Sequence, residues 1–159
     1  MAQYLVNVQA TSNTSTNTED VFVEIKGASN VQFKVKRVRV GYSDGTATAG
    51  VDNHFRIKLA RWDTTTGGSS TTPTIIVKNA NLPAATSTGK VKTGTTALAL
   101  GTTNVQTVDL ISVNGRALYE WLARDEEDYI VVKPASCFAV VLQSSVVSQL
   151  FTVTVEWVE

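Results

Sequence analysis

The sequence predicts an all-β chain, a sandwich or barrel of roughly eight or nine antiparallel strands. Valine and threonine dominate it, and branched side chains suit a pleated, half-buried surface while losing rotamer freedom in a helix. Apolar and polar residues alternate in short runs, and no long stretch keeps a 3.6-residue period. Clusters of Gly, Asn, Asp, Ser and Thr separate these runs at intervals of about ten residues.

Tyr4 to Gln9 reads as a first short strand, and Thr11 to Asp20 (TSNTSTNTED) as a polar, turn-like stretch with the composition of a flexible segment. Asp20 to Lys26 alternates, which places Val21, Val23 and Ile25 on one face. Val31 to Tyr42 is the longest strand. Val31, Phe33 and Val35 share one parity there, and Val38 and Val40 the other. Such a strand turns its core face to water unless an extra residue is absorbed, so a β-bulge is expected at Lys36–Arg37. Tyr42 to Thr46 carries Asp44-Gly45, a turn pair tolerant of positive φ.

His54 to Trp62 alternates through Phe55, Ile57 and Leu59, and Thr64 to Thr72 (TTTGGSSTT) is a loop. Thr74 to Lys78 is a short strand led by Pro73. Asn79 to Thr103 is an irregular excursion, with brief strands near Lys90–Lys92 and Ala97–Leu100. Val105 to Val113 is a strand, and Asn114-Gly115 is a strong hairpin signal, so Arg116 to Arg124 should be its partner. Ala117, Leu118, Trp121 and Leu122 would also fit one helical face, but the turn and the strand before it favour a strand. Asp125 to Asp128 is a charged loop, and Tyr129 to Lys133 a strand ended by Pro134. Cys137 to Gln143 and Leu150 to Val158 complete the set. The last strand sets Phe151, Val153, Val155 and Trp157 against Thr152, Thr154, Glu156 and Val158.

The 159 residues have the length of one domain, and neither an internal repeat nor a linker divides 1–159. Hydrophobic residues make up 43%, enough for a sizeable core. Fourteen basic and fourteen acidic residues cancel, which argues against direct nucleic-acid binding, because phosphate neutralisation needs a surplus of cations. A single Cys and a single His rule out a disulfide framework and a multi-ligand zinc site. No apolar run approaches the roughly 18 residues of a membrane span. The N-terminal residues lack the charged and apolar regions of a signal peptide, so no membrane partner is expected.

No residue set matches a catalytic template. His54 has Asp52 nearby but no Gly-x-Ser-x-Gly elbow, and reads as a strand-edge histidine. Cys137 sits in an apolar run without a neighbouring histidine, as a buried thiol would. Gly67-Gly68 lacks the Lys-Thr and helix of a phosphate loop, so no cofactor is implied. Trp62, Trp121 and Trp157 could build a sugar platform, but large aromatics more often fill a core or an interface. Two charged groups are the candidate protein contacts. Lys34, Lys36, Arg37 and Arg39 point outward once the bulge is allowed for, and suit an acidic partner surface. Asp125, Glu126, Glu127 and Asp128 do not fit an EF-hand loop, and suit a basic patch on a neighbour.

Four segments together resemble the jelly-roll head-decoration (cement) proteins of tailed bacteriophages. They are Val35-Lys36-Arg37-Val38-Arg39-Val40-Gly41; Phe55-Arg56-Ile57-Lys58-Leu59-Ala60-Arg61 with its Gly/Ser/Thr loop and Thr72-Pro73; Trp121 with the acidic loop and Tyr129-Ile130-Val131-Val132-Lys133-Pro134; and Thr154-Val155-Glu156-Trp157-Val158-Glu159. The resemblance runs from about Val35 to Glu159 and rests on alternating strands and turns rather than on a catalytic signature. It implies a jelly-roll-like antiparallel sandwich of about eight strands. It also implies a non-enzymatic virion protein, made in the bacterial cytoplasm, that sits on the outer capsid surface as a homotrimer and clamps the major capsid protein. Phe151, Val155 and Trp157 are then candidates for core and trimer seam, and the loops Thr64–Thr72 and Asn79–Thr103 for capsid contact. A receptor- or glycan-binding module of a tail fibre is the alternative, since one fold hosts many functions.

Overall fold

A computed structural model describes residues 1–12, 19–42, 54–63, 70–93, 98–114, 117–144 and 149–159. Twelve strands and no helix occur among them. The strands are β1 (Gln3–Thr11), β2 (Glu19–Lys26), β3 (Phe33–Tyr42), β4 (His54–Trp62), β5 (Ser70–Thr71), β6 (Ile75–Val77), β7 (Thr88–Lys92), β8 (Gln106–Asn114), β9 (Tyr119–Leu122), β10 (Ile130–Val132), β11 (Cys137–Ser144) and β12 (Leu150–Val158).

They form two six-stranded antiparallel sheets. The first has the order β10-β3-β12-β1-β6, with β9 sharing the β3 edge beside β10. The second has the order β5-β7-β2-β11-β4-β8. Chain order explains the pairing. β1 pairs with β12, β2 with β11, β3 with β9 and β10, and β4 with β8. Successive pairs alternate between the sheets, as in a long hairpin wound into a jelly roll. The short strands β5, β6 and β7 add to the opposite edges.

The core between the sheets comes from the alternating positions. Tyr4, Val6 and Val8 of β1, Phe55, Ile57 and Leu59 of β4, and Phe151, Val153, Val155 and Trp157 of β12 all belong to it. Phe151 meets Phe22 and Phe55 edge-on, with ring centroids 5.5 and 4.9 Å away, a geometry that suits aromatic quadrupoles. The expected bulge is present. Glu156 faces Arg37 and Trp157 faces Val35, so Lys36 is the extra residue that returns both halves of β3 to the core.

Two further bulges correct the sequence reading. Val140 faces Val23 but Val141 faces Val21, which makes Phe22 an extra residue in β2. Val21 therefore lies on the outer face of the second sheet, not with Val23 and Ile25. In β8, Leu59 and Ala60 of β4 face Asp109 and Thr107, with Val108 left over between them. The Asn114-Gly115 hairpin is also corrected. The Ala117 N–H donates to the Asn114 carbonyl at 2.9 Å, as in a turn, but β9 pairs with β3 rather than with β8. The chain crosses here from one sheet to the other. The edge of β3 takes up β9 and its apolar inner side, and the second edge of β8 stays unpaired among the described residues. The segment reads as strand only over Tyr119–Leu122.

The outer face of the second sheet is not open to water. Val21, Ala60, Trp62, Cys137, Ala139 and Val141 form a second apolar cluster, closed by Leu98. Leu98 makes one isolated bridge, to Val21, instead of the brief strand expected there; Ala97 lies outside the described residues. Gly101 then lies on the Trp62 ring, so closely that an added Cβ would overlap it. Part of the 79–103 excursion is thus built into the fold, as β7 and as this cover. The Thr-rich 13–18, the Asp44-Gly45 turn and Thr64–Gly68 lie outside the described residues. One charged pair is buried alongside the apolar groups. Lys92 and Asp20 form an ion pair with side chains 0% and 2% exposed, and the Lys92 ammonium lies 5.0 Å from the Phe22 ring centroid. Burial pushes the Lys92 ammonium below its ordinary pKa, although Asp20 opposes the shift.

The end of β12 is tied to the segment before β7 by Glu159. Its carboxylate accepts the Thr86 N–H at 2.9 Å, the Ser87 N–H at 3.1 Å and the Trp157 Nε1–H at 3.1 Å. Burial alone would raise the Glu159 carboxyl, but hydrogen bonds from Ser87, Thr86 and Trp157 outweigh it and hold it below the usual range.

Two tests follow from this packing. Gly101→Ala must displace the Trp62 ring or the segment over it, and a loss of about 1–3 kcal/mol is expected in urea unfolding followed by tryptophan fluorescence. The depressed Glu159 pKa gives a stability contribution that is complete above the unfolded value and lost as pH falls through the lower folded value. Glu159→Gln should therefore be less stable than wild type at pH 7, and the gap should close below about pH 4.

Candidate functional site

The two charged groups singled out in the sequence both lie at the β3 edge of the first sheet. Arg37 and Arg39 point outward as expected, but they are not an open basic patch. The Glu120 carboxylate of β9 accepts from Arg37 Nε at 2.6 Å and from Arg39 Nε at 2.7 Å. Glu156 lies 3.8 Å from Arg37 Nη1 and 2.7 Å from Lys78 Nζ. The result is a row of alternating charges across the outer face, which balances itself within the chain. Lys34 and Lys36 are half-buried and join no ion pair among the described residues.

Asp125, Glu126, Glu127 and Asp128 form the exposed connection between β9 and β10. Asp125 Oδ1 accepts the N–H groups of Glu127 (2.9 Å) and Asp128 (3.2 Å), and Arg124 Nε reaches Asp128 at 3.0 Å. The loop is held by its own side chains. Phe151, Val155 and Trp157 are at most 1% exposed. They are spent in the core of the chain itself, so any seam between copies must use other residues. Trp62 is buried likewise and Trp121 is half-buried, which leaves no exposed tryptophan platform.

Cys137 and His54 behave differently. His54 is exposed at the start of β4. Cys137 is fully buried, and burial, with the Glu24 carboxylate nearby, pushes its thiol up to about 12. A thiol in that state is not a nucleophile at neutral pH. Glu24 is itself buried, and it accepts the Trp62 Nε1–H at 2.9 Å.

Two features were not visible in the sequence. The first is an apolar side of the sandwich where β8 of one sheet lies beside β9 and β10 of the other. The Tyr119 hydroxyl spans the gap to Asp109 at 2.6 Å, and Arg61 Nη1 donates to the Val131 carbonyl at 2.6 Å. Seven of the eleven exposed large hydrophobic residues among the described ones lie in or next to these strands, with Leu110 (53%) on the outer face of the second sheet and Leu122 (52%) on the outer face of the first. β8 pairs only with β4, and its sequence QTVDLISVN holds neither Lys, Arg nor Pro. Those are the residues that usually protect a free edge. Alternation hides this feature, because the same pattern describes a strand with neighbours on both sides.

The second feature is a cleft of about 220 Å³ at one corner of that side. It gathers Arg61 and Asp63 at the end of β4, Asn104 and Gln106 before and in β8, and Lys133 and Ser136 around the turn after β10. Asp63 accepts from Asn104 Nδ2 at 2.5 Å and from Ser136 Oγ at 2.9 Å. These hydrogen bonds, Asn104 first, hold its carboxyl below the usual range. Arg61 Nε is set by Gln106 Oε1 at 2.7 Å. Asp63 and Ser136 are 73 positions apart, a separation that strand periodicity cannot bridge.

The state of Cys137 can be checked directly. A thiol reagent at pH 8 should leave Cys137 unlabelled in the folded chain and label it at the rate of unfolding in denaturant.

Comparison with known proteins adds no relative: no family model matches the chain, and neither a curated protein nor a solved structure is similar to it.

Proposed function

We propose that this chain is a non-enzymatic structural protein of a virion, a jelly-roll decoration protein that self-associates as a homotrimer and docks on the major capsid protein. The observation that carries the reading is the apolar side formed by β8, β9 and β10. Monomeric proteins rarely leave a large apolar patch in water, and such patches mark contact surfaces. Asp109 is bonded to Tyr119, and Arg37 and Arg39 share Glu120 on the flanking face. The acidic connection Asp125–Asp128 between β9 and β10 adds a charge that the partner surface must answer.

This reading moves the seam from Phe151, Val155 and Trp157 to Leu110, Ile111 and Leu118. It leaves the acidic loop Asp125–Asp128 and the half-buried Lys34 and Lys36 at the rim, where charges steer association more than they add affinity. Docking over capsomer junctions would add interface free energy that resists expansion of the shell. The jelly roll suits the task because its two sheets hold the contact side rigid.

The test is the molar mass in solution by light scattering. Wild type is expected at three times the chain mass at micromolar concentration, and the Leu110→Glu/Leu118→Glu variant at the chain mass with unchanged circular dichroism. A monomeric wild type at about 100 μM would remove the trimer from the account. Co-sedimentation with capsids of the virus that carries this sequence tests the docking step. A trimer that stays in the supernatant would remove the capsid role alone.

A further inference from the structure

We propose that the cleft around Asp63 binds a single carboxylated sugar ring of the uronic-acid type. The inference goes beyond the structural reading and does not depend on it.

Size sets the first limit. A cavity of about 220 Å³ lies below the roughly 300–1,000 Å³ of sites for drug-sized ligands, and admits one ring rather than an extended chain. Charge sets the second. Arg61 and Lys133 bring two cations against the one carboxylate of Asp63, so the site favours a monoanion. A small inorganic anion would satisfy the cations but meet the Asp63 carboxylate, which is held ionised by Asn104 and Ser136. Each Asp63 oxygen accepts one of those bonds and keeps capacity for another, which requires a donor from the ligand. A neutral sugar supplies the donors but leaves the cations unanswered. A sugar with one carboxylate and adjacent hydroxyls answers both, its carboxylate toward Lys133 and Arg61 and its hydroxyls toward Asp63.

Backbone strain provides a separate observation. Among the described residues only Asn104 and Ala135 combine a side chain with positive φ, at 51° and 62°. Both serve this cleft. Asn104 is one donor to Asp63. Ala135 is the third residue of the turn closed by the Ser136 N–H on the Lys133 carbonyl at 3.2 Å, and it sets the position of the other donor, Ser136. Asparagine tolerates this region, whereas alanine resists it. Strain of this kind persists where a placed geometry is held by the rest of the fold, and it clusters at binding sites.

The test is a titration of the uniformly ¹⁵N-labelled full chain with sodium galacturonate, galactose and sodium acetate, read from amide shifts. Galacturonate is expected to shift the Asn104, Gln106, Lys133 and Ser136 amides saturably with a Kd on the order of 1 mM, and galactose and acetate to bind at least about tenfold more weakly. Lys133→Ala, at an exposed position, should weaken galacturonate about fivefold or more and leave galactose unchanged. Asn104→Gly keeps the left-handed backbone while removing the amide, and should weaken both sugars. No saturable shift of these amides by galacturonate up to about 50 mM would overturn the proposal. So would acetate reproducing the same shifts at the same concentrations, or a Lys133→Ala chain that binds galacturonate as wild type does.

Discussion

The parity of β3 is the constraint on which the sandwich depends. β3 is hydrogen-bonded to β12 on one edge and to β9 and β10 on the other, so an error in its facing would pass to half of the first sheet. Its two apolar runs are out of step by one residue, and Lys36 absorbs the difference. Without that bulge either Phe33 and Val35 or Val38 and Val40 would face water, each set costing several kcal/mol of burial. The same device recurs in β2 at Phe22 and in β8 at Val108. Bulges raise the local twist, which lets both sheets wrap the shared aromatic centre of Phe22, Phe55 and Phe151.

The second sheet adds a layer that a two-layered sandwich does not require. Its outer face carries Trp62, Cys137 and Val141, and the chain around Leu98 and Gly101 returns to cover them. That cover explains why Glu24, at a polar position of the alternating pattern, is buried, where it serves the Trp62 indole N–H. Lys92, paired with Asp20, lies instead against Phe22 of the inner core. A buried pair contributes little net stability but strongly penalises the loss of either partner, so these residues act more on uniqueness than on the size of the folding free energy.

The two surface features lie on the same side of this scaffold and differ in chemistry. The β8–β10 side exposes apolar residues beside the acidic Asp125–Asp128 connection, suited to another protein surface, while the Asp63 corner is a polar recess with two cations and one acid. Their proximity follows from the fold. The jelly roll brings the last strand of one sheet over the last strand of the other, and the ends of β4 and β10 meet at the corner. On the neighbouring flat face Arg37, Arg39 and Lys78 are already paired with Glu120 and Glu156.

The all-β class, the strands β4 and β12 at His54–Trp62 and Leu150–Val158, and the bulge at Lys36 were legible from alternation alone, because side-chain period and parity are properties of the local chain. The buried thiol of Cys137 was legible for the same reason, from its apolar run. The partner of β9 was not. Asn114-Gly115 specifies a turn, but whether the chain then pairs with the strand it has just left or crosses to the other sheet depends on which of two available edges buries the inner side of β9. Phe151, Val155 and Trp157, read as core and trimer seam, lie in the core of the chain itself: alternation says that a side chain faces a core, not whether that core lies within one chain or between copies. The Asp63 cleft and the apolar side were invisible, since their members are drawn from strands far apart in sequence. Amino-acid order alone determined where the strands run and which way each points, because steric preference and amphipathic period act over neighbouring residues. Only the tertiary structure decided which edges stay open, which outer face is covered and which polar groups converge, because those outcomes depend on how distant strands share a limited set of hydrogen-bonding edges.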